Sequence, residues 1–148
     1  MSAAEARRLI ELLSLAPHPE GGWYRETFRD PSCDASGRAR ATAIYFLLEG
    51  GAGSRWHRVD AAEIWTWHAG APLRLSLSPD GETSTSQLLG ADIEAGERPQ
   101  GVVPAHCWQA AQSLGDFTLV SCIVAPAFSF DGFKLASENF APKPAITP

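Results

Sequence analysis

The sequence predicts an all-β fold, an antiparallel sandwich or barrel preceded by one short helix. Beyond residue 16 the apolar residues fall in short runs rather than helical stripes. Leu73, Leu75 and Leu77 alternate with Arg74, Ser76 and Ser78, and Gly and Pro punctuate the runs at fairly even spacing. At 148 residues the chain fits one domain whose core is large enough to fold without staples.

The helix comes first. Ser2 with Glu5 three residues later reads as a capping box, and Ala6, Leu9, Ile10 and Leu13 then recur on one face. Pro17 biases its predecessor away from helix and ends it, so residues 1–16 are expected to pack as a helix on the barrel. The run Ala41–Leu48 is a strand closed by Gly50-Gly51-Ala52-Gly53. Glu63–Trp67 and the alternating stretch around Leu75 follow, and Ser78-Pro79-Asp80-Gly81 turns the chain into Thr83–Leu89. Gly101–Val103, Trp108–Ala111 and Phe117–Val124 complete the β-structure of a domain spanning 17–140. Residues 141–148 carry Pro142, Pro144 and Pro148 without periodicity and are expected to form a loose tail.

Bulk properties exclude several partners. A net charge of -5 and a pI near 5.3 give no electrostatic reason to bind nucleic acid or an anionic membrane. No apolar run approaches the roughly 20 residues of a membrane span. The N-terminus has an early Glu and no apolar core, so no secretory signal is expected. Cys33, Cys107 and Cys122 are odd in number and widely spaced, which reads as free thiols in a reducing compartment, the cytoplasm. Gly50–Ser54 lacks the Gly-Lys-Ser/Thr of a phosphate loop, no serine sits in GxSxG, and Cys107 beside His106 is a weak nucleophile candidate.

The chemistry concentrates in His57-Arg58-Val59-Asp60-Ala61-Ala62-Glu63, closed by Gly70. Strand alternation puts Glu63, Trp65 and Trp67 on one face and Ile64, Thr66 and His68 on the other. If Glu63 points inward, two indoles line the same cavity as a carboxylate and an imidazole, the usual make-up of a small-molecule site. A carboxylate in such surroundings has its pKa raised by desolvation, and imidazole titrates near neutrality, so His57 and Glu63 form a candidate acid/base pair. The same two groups would equally serve as a hydrogen bond that stabilises the interior. The segment His18–Glu26 reads either as a lip over the barrel mouth, with Arg25 offered to a ligand carboxylate or phosphate, or as an added edge strand. For His18 and the Gly pair the structural reading is preferred.

Gly53-(x3)-His57-x-Val59-(x3)-Glu63-(x6)-Gly70 resembles the first motif of the cupin superfamily, and Pro104–Gln109 resembles the second. The flanks His18-Pro19-Glu20-Gly21-Gly22 and Ala125–Phe133 are similar to those of a small single-domain cupin family catalogued as of unknown function. The resemblance runs from about Leu9 to Leu135. It implies a double-stranded β-helix, or jelly roll, with a buried cavity and usually a homodimer. It also implies that the motif's metal-binding positions fall on His57, Val59, Glu63 and Gln109. Val59 stands where a second imidazole is expected and Gln109 where a histidine is.

Two strong donors are too few for zinc or iron, so no cofactor is expected; any adventitious divalent metal would have to use His57, Glu63 and Gln109. His68 is on the wrong strand parity to help, and His106 sits at a turn position. The functional expectation is a small-molecule-binding cupin, with His57 and Glu63 as a metal-independent isomerase- or epimerase-like pair acting on a sugar-type or other small polar metabolite. Trp65, Trp67, Gln109, Tyr45 and Arg25 are the candidate ligand-binding residues. The alternative is a non-catalytic binding or sensing cupin, and a metal-dependent oxygenase or isomerase is the least favoured reading.

Overall fold

A computed structural model describes residues 2–145. Helix α1 (Ala3–Leu12) is capped by Ser2, whose side chain accepts from the Glu5 N–H. Twelve strands follow: β1 (Ala16–Pro17), β2 (Trp23–Arg29), β3 (Thr42–Glu49), β4 (His57–Val59), β5 (Ala62–Gly70) and β6 (Leu73–Ser78). The second half adds β7 (Thr83–Leu89), β8 (Gln100–Val103), β9 (Trp108–Ser113), β10 (Phe117–Ala125), β11 (Phe133–Leu135) and β12 (Lys143–Pro144). They form two six-stranded sheets, ordered β1-β2-β3-β10-β5-β8 and β11-β4-β9-β6-β7-β12. This is a jelly roll, the form that the motif resemblance implies for the sandwich or barrel expected from the strand pattern.

The core lies between the sheets, where alternation aims one side chain in two inward. Phe46, Leu48, Trp65, Val120 and Cys122 of the first sheet meet Leu73, Leu75, Leu89 and Ala111 of the second. On the outer side of the first sheet, Ala6, Leu9 and Ile10 of α1 pack with Leu47, Phe117 and Trp23. The helix thus covers part of a sheet face that would otherwise be wet.

Of the two readings of His18–Glu26, the added strand is the one seen after Gly22: β2 runs seven residues and pairs with β3. One expectation changes. The tail is not loose throughout: Lys143 and Pro144 pair in parallel with Thr83 and Ser84, and Lys143 and Ala145 donate backbone N–H groups to Glu82 and Ser84. Proline lacks a backbone N–H but still fits an edge position, which is where β12 lies. Residues 146–148 of that tail lie outside the described residues.

Candidate active-site cavity

A cavity of about 280 Å³ opens between the sheets. Its polar lining comes from His57, Glu63 and Cys122 on β4, β5 and β10, from His18 and Glu20 ahead of β2, and from Glu26 and Arg29 on β2. Ile44, Phe46, Val59, Val124, Phe128 and Phe130 supply apolar walls. Alternation explains most of this set, because Ile44 and Phe46, or Cys122 and Val124, are two residues apart on one strand. Arg29 needs more. A register shift between Glu26 and Phe28 restores pairing one residue late, so Glu26 and Arg29, three apart, reach the same cavity.

His57 is 2% exposed and held at both ring nitrogens. Nδ1 lies 2.8 Å from the Arg55 carbonyl oxygen, and Nε2 lies 2.8 Å from Glu20 Oε2. A carbonyl can only accept, and an ionised carboxylate can only accept, so both nitrogens carry protons and the ring is an imidazolium. Burial alone would push its pKa down, but Glu20, with Glu63 and the Arg55 carbonyl, outweighs it and raises the pKa to about 9.

Glu20 reaches this position through a tight turn. His18 N–H donates to the Gly22 carbonyl, Gly21 N–H to the His18 carbonyl, and Arg55 N–H to the Glu20 carbonyl. Gly22 has φ +82, and a Cβ there would stand 2.7 Å from the side chains of Phe46 and Leu48. Only glycine combines that backbone with that proximity.

Glu63 is 7% exposed and has a different set of partners. The Trp65 indole N–H donates to Gln109 Oε1 at 2.9 Å, which turns the amide so that Gln109 Nε2 donates to Glu63 Oε1 at 3.0 Å. Indole is donor-only, so the amide orientation is fixed by chemistry. Burial raises the Glu63 carboxyl to about pKa 7, with the nearby His57 cation partly opposing the shift. The Cys122 thiol beside it is pushed well up, first by burial and then by the Glu63 charge. It is a protonated wall rather than a nucleophile.

The structure thus brings His57 and Glu63 to one cavity but bonds each to another residue: His57 to Glu20, Glu63 to Gln109. The other candidates are placed differently. Trp65 shares the inward face with Glu63 but is fully buried in the core behind the cavity, against Phe46 and linked to Glu63 through Gln109, which is itself buried and does not line the cavity. Trp67 packs at the core's edge with its indole N–H on the Ala71 carbonyl. Neither indole lines the cavity, which corrects the expected indole-lined wall; alternation assigns a face, not a depth. Tyr45 points to the opposite side of β3, under α1, and Arg25 is exposed with its guanidinium on the Leu13 carbonyl. Tyr24 and Arg29 stand at the cavity instead. His68 is on the outer face against Ser121 Oγ, and His106 is an exposed turn residue with φ 68. His18 and Glu20, in the segment His18–Glu26, join the site without being among the sequence candidates, as do Glu26, Arg29 and Cys122.

The positions that the motif resemblance assigns to a metal are occupied differently here. Val59 offers no donor, His57 has no lone pair while both nitrogens are protonated, and the Gln109 oxygen is turned to Trp65. Among the described residues no group of three or more His, Cys, Asp and Glu side chains is arranged to hold a metal ion.

A pH dependence follows from these protons. His57 is raised from 6.5 to about 9, so its contribution to stability is complete below pH 6.5 and is lost as pH rises through about 9. Glu63 is raised from 4.5 to about 7, so its contribution is likewise lost as pH rises through about 7. Folding therefore takes up protons across this range, and the melting temperature is expected to fall from pH 6.5 to about 9. His18, lowered chiefly by burial, works in the opposite sense only below pH 6.5. A melting curve series that is flat or rising across the alkaline half would contradict the assignment.

Comparison with known proteins agrees with the geometry. Residues 7–136 match the model of a family described as Cupin superfamily (DUF985). Protein SO0799 of Shewanella oneidensis, of known crystal structure, is 43% identical over 89% of this chain and 84% of its own, with a TM-score of 0.84. A hypothetical protein from Leishmania major is 32% identical over 91% of this chain and 89% of its own, with a TM-score of 0.82. The uncharacterized protein YML079W of Saccharomyces cerevisiae is 26% identical in an alignment that covers 84% of this chain and 72% of that protein.

Proposed function

We propose that this chain, which belongs to the cupin superfamily (DUF985), binds a small polar metabolite in the barrel cavity and moves a proton on it without a metal, in the manner of an isomerase or epimerase. The observation that carries the proposal is Glu63: a buried carboxyl on the cavity wall, bonded to an amide rather than a cation, with its pKa raised to about 7. Near neutral pH such a group is populated in both forms and can take a proton and return it. In the proposed step Glu63 removes a proton from a carbon next to a carbonyl, the electron pair moves onto the carbonyl oxygen, and the same proton or one exchanged with water is delivered back. His57, positive and fixed by Glu20 and Arg55, supplies a field that favours the developing negative charge.

The reading is tested in two stages. Metabolites that raise the melting temperature are identified first, since a ligand of the folded state stabilises it by mass action. Each is then incubated with the protein in deuterated water. Deuterium entering the carbon next to the carbonyl is the expected result; stabilising ligands that never exchange would leave the alternative, a non-catalytic binding cupin. That second reading is favoured by one feature, the commitment of both His57 N–H groups to acceptors inside the protein.

A homodimer is proposed as well. Phe28, Ala43, Ile123, Ile64 and Val102 are successive cross-strand partners over five strands of the first sheet, on the side facing away from the core. Phe28, Ile123 and Val102 are exposed. An apolar row of this kind is commonly covered by a second subunit. Light scattering at micromolar concentration is expected to give twice the monomer mass, and a monomer would count against it. No helix of the described residues is long and apolar enough to cross a membrane.

A further inference from the structure

His18 lines the cavity and uses only one of its ring nitrogens within the protein. The Glu20 backbone N–H donates to His18 Nδ1 at 3.1 Å. A ring nitrogen that accepts carries no proton, so in the neutral ring the hydrogen is on Nε2. Burial, partly opposed by Glu20 and reinforced by His57, lowers the His18 pKa and keeps the ring neutral. Tyr24 packs edge-on against it at 4.5 Å, with Phe46 and Phe133 on other sides, so the ring is held in one orientation.

Its side chain is only 6% exposed, yet Nε2 has no hydrogen-bond partner among the described residues. Among the described residues, every side-chain nitrogen or oxygen that is sealed from solvent does have one. Nε2 therefore keeps an opening, and the space that His18 lines is the cavity.

The charges around the cavity restrict what can accept that bond. Arg29 is bound to Glu26 at 2.7 Å and His57 to Glu20 at 2.8 Å. Glu63 is bonded to no cation among the described residues. Each cation of the lining is thus matched by a carboxylate, His57 inside and the half-exposed Arg29 at the rim, and Glu63 is a carboxyl in surplus; the His57 field can favour a developing charge but does not balance a whole buried anion. Burying an anion without a partner beside a like charge is costly.

We infer that the cavity selects an uncharged ligand, with a carbonyl or hydroxyl oxygen accepting from His18 Nε2–H and a neighbouring hydrogen facing Glu63. Phosphorylated and carboxylate-bearing metabolites are expected to bind more weakly than their neutral counterparts. The inference rests on the cavity being the ligand site, as proposed above, and names the chemical class that fits it.

The test uses the full chain and matched probes: D-glyceraldehyde with D-glyceraldehyde 3-phosphate and D-glycerate, and D-ribose with D-ribose 5-phosphate and D-ribonate. Binding is followed by saturation-transfer NMR titration. A neutral member of at least one set is expected to bind, and its charged partners about tenfold or more weakly. Two variants separate ligand contact from structure. Gln places an amide N–H near the Nε2 position, whereas Asn keeps an acceptor near Nδ1 and has no reach into the cavity. His18→Gln should retain binding of the neutral probe, and His18→Asn should weaken it about tenfold. A purely structural role predicts the reverse order.

Equal or tighter binding of an anionic member, no binding by either neutral member, or wild-type binding by His18→Asn would overturn the inference. Failure of the proton-transfer reading looks different: a neutral probe bound through His18 that never exchanges deuterium leaves this inference standing. Exchange on a phosphorylated probe does the opposite.

Discussion

Replacing Glu63 with Gln is expected to reduce deuterium incorporation into a bound substrate by about 10²–10⁴-fold while leaving the fold and ligand binding intact. The substitution keeps volume and shape in a site where the carboxyl is 7% exposed. It also keeps an oxygen that can accept from Gln109 Nε2, so the chain from Trp65 through Gln109 need not break. What disappears is the ability to hold and release a proton. Stability should scarcely suffer. A group whose pKa is raised to about 7 is costly to ionise in place, and an amide never ionises. The comparison that makes the result specific is Trp65→Phe, which removes only the indole N–H. If Gln109 positions Glu63, that variant should lower the exchange rate and shift its pH profile without abolishing it. Undiminished exchange in Glu63→Gln would remove Glu63 from the mechanism, and a lost melting transition would show that the carboxyl is structural.

The uneven legibility of this site in the sequence has physical causes. Period-two alternation is a local property, and it correctly placed Glu63 and Trp65 on one face of β5 and His68 off it. Alternation says nothing about how far along the barrel a residue lies. Alternation therefore assigns Trp65 to a wall, whereas it sits in the core behind that wall. The bulge in β2 has no marker in Glu26-Thr27-Phe28, so the presence of Arg29 rather than Arg25 at the cavity could not be read. The contact between Glu20 and His57 joins a glycine turn to a strand distant in the chain. Its only local trace was the unusual pair Gly21-Gly22, which announced a special backbone without saying what it delivered. The three-residue strands β4 and β11 are too short to show any period.

The Glu20 contact is also where the largest effect on stability is expected. His57 and Glu20 are 2% and 7% exposed, so neither charge is compensated by water. Breaking a buried pair from one side costs about 3–5 kcal/mol, because it strands the remaining charge. Glu20→Gln should therefore destabilise the protein by roughly that amount at pH 6 by urea denaturation. The loss must depend on pH. In the wild type the pair's contribution is complete below pH 6.5 and disappears as His57 deprotonates through about 9. In the variant, burial is no longer outweighed by the Glu20 charge, so the imidazole loses its proton at lower pH. The gap between variant and wild type should then be widest in mildly acidic buffer and narrow toward pH 9 and above. Adding His57→Gln to Glu20→Gln should recover part of the loss, since two neutral amides can bond where a lone cation cannot. A small, pH-independent destabilisation, additive with His57→Gln, would mean that the two residues are neighbours without being an ion pair. The cationic field assigned to His57 would then have no source.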